Sequence, residues 1–430
     1  MWFERLCVFV SLAQPHLVRL MTTSSDSMAH PTARSAGRTG WFILAVLLFF
    51  SIAAPLNQFK VPPIMPVLMS VLGLSTARAG LLMSVYAVTG LILALPSGLI
   101  FQRAGARLTG LIAGGSIVIG AALGAVSTSV GGLLASRVIE GIGLSFMAVL
   151  APAIIAQSFA AEKRGTAMGI WSAWVPIGTA IMLLIAPALT QAGSWRAVWW
   201  FGAGFAVLAT VLYLAFVKPA PQPMLGARPG RAAPAAVQTV VTAGSVLRNR
   251  NIWLLSAAFG CFSLAVGAFG TFFPTFLSTV RGLPLGRAAL LASISTLITI
   301  FSCPAGGLVS DRIGSRRWPF VVGLAVSGLL LPLTGSLAIA PLIVLLAVIG
   351  LVMGLIPTNI FSAAVEAAGD ERQSGLAMAI IMIGQNGGML LGPVIFGTLV
   401  ESAGGWPLAF ASLAVMALLG AVAGWLARVR

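Results

Sequence analysis

The chain has 430 residues, 59% hydrophobic and only 8% charged, with a mean hydropathy of +1.03, which excludes an ordinary soluble globular protein. A formal charge of +16 would suit nucleic acid if it were gathered on one domain, but Lys and Arg are scattered through short connectors between apolar runs, so no nucleic-acid partner is expected. Three cysteines without CxxC spacing, two histidines near the N-terminus and nine acids, most of them in connectors, exclude a zinc motif or disulfide framework and leave hydrolytic chemistry without its parts; neither a cofactor, a metal nor an enzyme activity is expected.

Residues 1–40 hold a short apolar stretch at 6–13 and then a polar Ser/Thr/Pro segment with further methionines at Met21 and Met28. This predicts a disordered cytoplasmic tail. A signal peptide is the competing reading, but the stretch is short and lacks a small-residue cleavage pattern. Twelve apolar segments follow, at 41–72, 79–101, 108–127, 131–159, 165–191, 196–216, 252–277, 287–310, 318–337, 341–365, 373–400 and 406–427. Each reaches or approaches the ~20 residues that cross hydrocarbon. All must be helical, because lipid cannot satisfy bare backbone. The expected fold is therefore all-α, with a six-helix bundle at 41–216, a cytoplasmic linker at 217–251 rich in Pro, Lys and Arg, and a second six-helix bundle at 252–430. With the N-terminus inside, cytoplasmic segments hold nineteen of the 25 Lys and Arg residues and external loops hold four, Arg78, Arg196, Arg281 and Arg287. That asymmetry predicts a multi-pass inner-membrane protein with both termini cytoplasmic.

The halves repeat. A shift of 209 positions lays Gly73 and Leu74 on Gly282 and Leu283, Arg78 on Arg287, Ser84 on Ser293 and Gly98 on Gly307. A shift of 210 lays Gly165, Ala167, Met168 and Ile170 on Gly375, Ala377, Met378 and Ile380, and Gly178 on Gly388. Charged and loop landmarks match in register as well as the common apolar residues, so two bundles descend from one unit.

Lys60 and Arg137 are the two cations inside apolar runs. Lys60 lies about 18 Å from the outer end of a first span that closes at Leu72, near mid-membrane, where a cation with Asn57 is poised for an anion. The alternative ends that span at Phe59 and lets Lys60 snorkel to the interface. Pro62, Pro63 and Pro66 remove backbone donors beside the charge and should break or bend the helix there. In span four, Arg137 and Glu140 share a helix face. A local ion pair and a role in binding or proton coupling are equal readings, and Glu140 is the one carboxylate well inside the membrane. Trp171 and Trp174, three apart in span five, either line a path or simply pack. Asn359 in span ten, with Gln385 and Asn386 in span eleven, either meet substrate or bond helix to helix. The loop after span eight reads Gly307-Leu-Val-Ser-Asp311-Arg312-Ile-Gly314-Ser-Arg316-Arg317, and its first-half counterpart keeps Gly98, Arg103 and Gly105 but has Gln102 in the place of Asp311. The glycines allow a tight turn, and Asp311 can accept from a neighbouring helix end and latch one conformation; the alternative is a plain positive-inside loop.

That loop resembles the G-x-x-x-D-R-x-G-x-R-R signature of the major facilitator superfamily, and Arg137-Val-Ile-Glu140-Gly141-Ile-Gly143 is similar to the family's R-x-x-x-G-x-G pattern. The resemblance covers residues 41–428 and implies twelve helices in two bundles that rock about a central site, most simply as a monomer in the lipid bilayer. Asn57, Lys60 and Pro62, the Met168-to-Ala173 segment and the aromatic pair Trp199 and Trp200 are similar to the cyanate and 2-nitroimidazole permease branch, although Lys60 stands for that branch's Arg and lies one residue later. Met182 and Leu183 replace the helix-five Gly-Pro of the family's antiporters.

These features together point to secondary active transport of a small anion or organic acid by alternating access, with proton coupling through Glu140. Multidrug efflux is the first alternative, disfavoured because a cation-binding cavity wants a buried acid where this chain has Lys60. A non-transporting sensor or scaffold is the second, disfavoured because charges and prolines inside helices cost stability without structural return.

Overall fold

A computed structural model describes residues 38–93, 96–159, 161–217, 246–368 and 371–429. Most of the expected tail, with Cys7, His16 and His30, and most of the expected linker lie outside the described residues.

Among the described residues twelve helices are long and apolar enough to cross a membrane: α1 (Thr39–Leu72), α2 (Thr76–Leu93), α3 (Arg103–Val126), α4 (Val130–Ile155), α5 (Thr166–Ala192), α6 (Trp195–Phe216), α7 (Arg250–Thr279), α8 (Leu285–Ile313), α9 (Arg317–Gly335), α10 (Ile339–Ala368), α11 (Leu376–Glu401) and α12 (Gly405–Leu426). No strand occurs among the described residues. Their apolar side chains point outward as well as inward, as expected where lipid is the solvent: Phe301, Leu329 and Val344 are well exposed, and so is Trp200.

α1 is broken. Its first helical segment ends at Gln58, a 3₁₀ turn occupies Pro62–Ile64, and helix resumes over Met65–Leu72. Pro62 and Pro63 have no N–H to give to the carbonyls one turn earlier, so the α-helical ladder cannot pass them. Gly73, at φ 61°, closes the span in the left-handed region. The expected second span ran to Phe101; α2 is described to Leu93, residues 94–95 lie outside the described residues, and the helix described from Pro96 turns at Gly105 (φ 72°) into α3.

Buried apolar side chains gather in one cluster from α1 to α6 and another centred on α7 to α12. The halves meet where α2 lies along α11, α5 along α8, and the distal part of α1 against α7 and α8. Leu183 of α5 is buried in the second cluster, and Leu285 of α8 packs on the first. Within the second half, Gly384, Gly388 and Gly392 of α11 face backbone atoms of Ser256, Gly260 and Leu264 on α7 so closely that a Cβ at any of them would collide. This spacing of four residues makes one stripe along α11, the close-packing role of small residues in lipid.

Candidate functional site

The break in α1 sits against α4, and three ionisable side chains meet there. Lys60, Arg137 and Glu140 are each fully buried. Lys60 Nζ donates to Glu140 Oε1 at 2.5 Å and to Asn57 Oδ1 at 3.0 Å. It also stands 4.7 Å from the centroid of the Trp199 ring on α6, within cation–π range. Lys60 therefore does not snorkel to an interface. Asn57 is fixed in turn, its Nδ2 donating to Ala53 O at 2.9 Å and to Gly202 O of α6 at 3.2 Å.

Arg137 pairs with Glu140 Oε2 through Nη1. The same Nη1 donates to Asn57 O at 2.7 Å, Nη2 to Gln58 O at 2.7 Å, and Nε to Leu82 O of α2 at 3.1 Å. Its guanidinium carbon lies 4.5 Å from the ring centroid of Tyr86, whose hydroxyl donates to Ala54 O at 3.0 Å. Gly141 on α4 leaves no room for a Cβ beside the backbone of Tyr86 and the side chain of Thr89, which lets α2 and α4 close around the charges. The sequence readings of a local Arg137–Glu140 pair and of a polar cluster around Lys60 thus converge on one carboxylate shared by two cations. The formal charge of the cluster is +1, in a place where an unbalanced charge is costly.

Trp171 and Trp174 are both buried and stack on each other at 5.2 Å, and Trp171 Nε1 donates to Ser51 Oγ of α1 at 3.0 Å. Asn359 is fully buried in the second half, its Nδ2 donating to Leu355 O at 2.7 Å and to Gly306 O of α8 at 3.3 Å, while its Oδ1 has no partner. Asn386 is half-buried and donates to Met382 O at 2.9 Å, with its side chain packed on Gly90 of α2. It thus lies at the seam between halves. Gln385 beside it is half-buried. Asn359 and Asn386 hydrogen-bond inside their own half, and the structure does not join them to the Lys60 cluster.

In the last turn of α8, exposed Asp311 pairs with Arg316 at 2.6 Å, the residue that precedes α9. Arg316 also meets Glu366 of α10 at 3.0 Å, and the Glu366 hydrogen bond, aided by Asp311, raises its pKa. Gly314 (φ 70°) ends α8, Gly307 is half-buried and Arg312 is exposed. In the first-half copy Gly105 (φ 72°) makes the turn, Arg103 is exposed and Gly98 is half-buried. The side chain of Gln102 lies outside the described residues. Among the described residues no group of three or more His, Cys, Asp and Glu residues could hold a metal ion.

Tyr86, Gly202 and the carbonyls of Asn57, Gln58 and Leu82 are the parts of the cluster that sequence reasoning missed. Tyr86 is one of only two tyrosines, a weak signal. Backbone carbonyls carry none.

The sequence profile of the Major Facilitator Superfamily matches residues 41–374 and again residues 288–430. A hexuronate transporter of Bacillus subtilis is 24% identical over 397 residues, 88% of this chain and 94% of that protein. A probable sulfoacetate transporter of Cupriavidus necator is 24% identical over 411 residues, 90% of this chain and 93% of its own length. Among solved structures, a bacterial homologue of the human lysosomal transporter spinster, inward-facing and unoccupied, superimposes with a TM-score of 0.72 at 17% identity, covering 91% of this chain and 97% of that one.

Proposed function

The chain belongs to the Major Facilitator Superfamily, and from that premise we propose that it carries a small anion or organic acid across the inner membrane, binding the negative charge at Lys60. It is a transporter and not an enzyme. The observation that carries the anion reading is the buried cluster: two cations share Glu140, so the site holds one positive charge more than its own residues balance. Both relatives described above are named for organic anions, and the likeness of the first span to the cyanate and 2-nitroimidazole branch points the same way.

The substrate's anionic group takes the place of the Glu140 carboxylate at Lys60 Nζ. Glu140, released from Lys60, is then the group that can take up a proton, which couples substrate movement to proton movement. Asn57 orients Lys60, and Arg137 with Glu140 tunes the site. Trp171 and Trp174 wall the path from α5, while Asn359, Gln385 and Asn386 complete the site as the second half closes on the first. Gly98, Arg103 and Gly105, with Gly307, Asp311, Arg312 and Gly314, form the helix ends and turns that hold one conformation. The distribution of Lys and Arg puts both termini in the cytoplasm, so the described contact between α1 and α7 lies on the outer side.

The test is the melting temperature of the purified protein against a panel of organic acids, inorganic anions and cationic drugs, repeated with Lys60→Ala. Stabilisation by particular anions that vanishes in the variant is expected. Stabilisation by cations alone, unchanged by the variant, would overturn the reading in favour of drug efflux.

A further inference from the structure

We propose that Arg137 is a positioning residue and not a substrate ligand: it caps the broken end of the first segment of α1 and thereby sets Lys60 against Glu140. The inference rests on the anion reading for what Lys60 does, but its geometry stands apart from that reading. In an unbroken helix, the carbonyl of Gln58 would accept from the N–H of residue 62 and that of Phe59 from residue 63. Both positions are proline, so neither donor exists. A helix C-terminus with carbonyls left bare in a buried, water-poor place is costly, and it carries the negative end of the helix dipole.

Arg137 meets one of these two carbonyls and the one before it: Nη2 serves Gln58 O and Nη1 serves Asn57 O, each at 2.7 Å, and the positive charge sits at the dipole's negative end. Nε is tied to Leu82 O at 3.1 Å, and Glu140 takes a further bond. Every nitrogen of the guanidinium is therefore committed to protein, and its face is committed to Tyr86. Lys60 follows the capped carbonyl of Gln58 by two residues, so the direction in which its side chain leaves α1 is set at the cap. A lysine in place of Arg137 keeps the charge but offers no planar fork to reach both carbonyls and Leu82 together.

Four full-length proteins decide the matter: wild type, Arg137→Lys, Pro62→Ala and the double variant. Each is melted with rising sodium glucuronate and, separately, sodium sulfoacetate. In Arg137→Lys the half-saturating concentration should rise about 10-fold, the scale of one lost charge-assisted hydrogen bond. In the Pro62→Ala background the same change should move it less than about 3-fold, because the restored N–H serves Gln58 O and the two sites are coupled. Equal rises in both backgrounds would mean that Arg137 touches the substrate, and an unchanged half-saturation beside a lowered melting temperature would mean that it only holds the fold. Either result overturns the proposal. If neither probe stabilises the wild type, the anion reading fails, and the ligand-free melting temperatures still test the cap: the loss caused by Arg137→Lys should shrink when Pro62→Ala is present, and equal losses overturn it. If Arg137→Lys folds only together with Pro62→Ala, the cap is supported; if neither folds, it is overturned.

Discussion

Glu140 is bonded to two buried cations at once, so its removal and the removal of either partner are not equivalent. Glu140→Gln leaves Lys60 and Arg137 facing each other without a counter-charge, a change on the order of 3–5 kcal/mol. Lys60→Met leaves the Arg137–Glu140 pair intact and should cost far less, since an apolar side chain replaces a buried charge. Denaturation of the two variants in the same detergent checks this, and equal losses would show that Glu140 is not the shared partner. The members of the cluster were legible one by one in the sequence, because Lys60, Arg137 and Glu140 are charges inside apolar runs. Their meeting was not, since Lys60 and Glu140 lie 80 residues apart and helix periodicity says nothing of which faces of two helices touch. The Arg137–Glu140 pair was visible because three residues along one helix is a fixed distance.

At the scale of the helix, Pro62 and Pro63 announced the break in α1 through chemistry that needs no tertiary information: a missing N–H cannot be supplied by a neighbour of the same helix. The partner of the α11 glycines is not readable from the sequence; only the fold shows that Gly388 presses on the carbonyl of Gly260. That contact is between backbones, which cannot swing aside. Gly388→Val should therefore force α7 and α11 apart and destabilise the second half by about 1–3 kcal/mol, read as a lowered melting temperature. The same substitution at Gly387, where a Cβ meets nothing within 4 Å, should leave melting near that of the wild type.

For the whole molecule, alternating access requires that the contact between α2 and α11 break in part of the cycle, and the structure shows what holds it. Gly80 lets the backbone of Pro393 approach, Gly397 does the same for Thr76, and Glu401 Oε1, at the end of α11, accepts from the backbone N–H of Ala77 in the first turn of α2 at 2.8 Å. A carboxylate there bridges the two halves and meets the positive end of the α2 dipole. An exposed interaction of this kind contributes about 0.3–1 kcal/mol, enough to change a two-state population ratio by roughly 2- to 5-fold. Glu401→Ala should therefore shift the molecule by that factor toward the state in which this end opens. Spin labels at Ser75 and Ser402, which flank the contact in the two connectors, would read the shift as a larger long-distance fraction. Glu401→Gln keeps an acceptor but loses the charge and should fall between the two; an unchanged distribution in Glu401→Ala would mean that the glycine contacts alone hold the halves together.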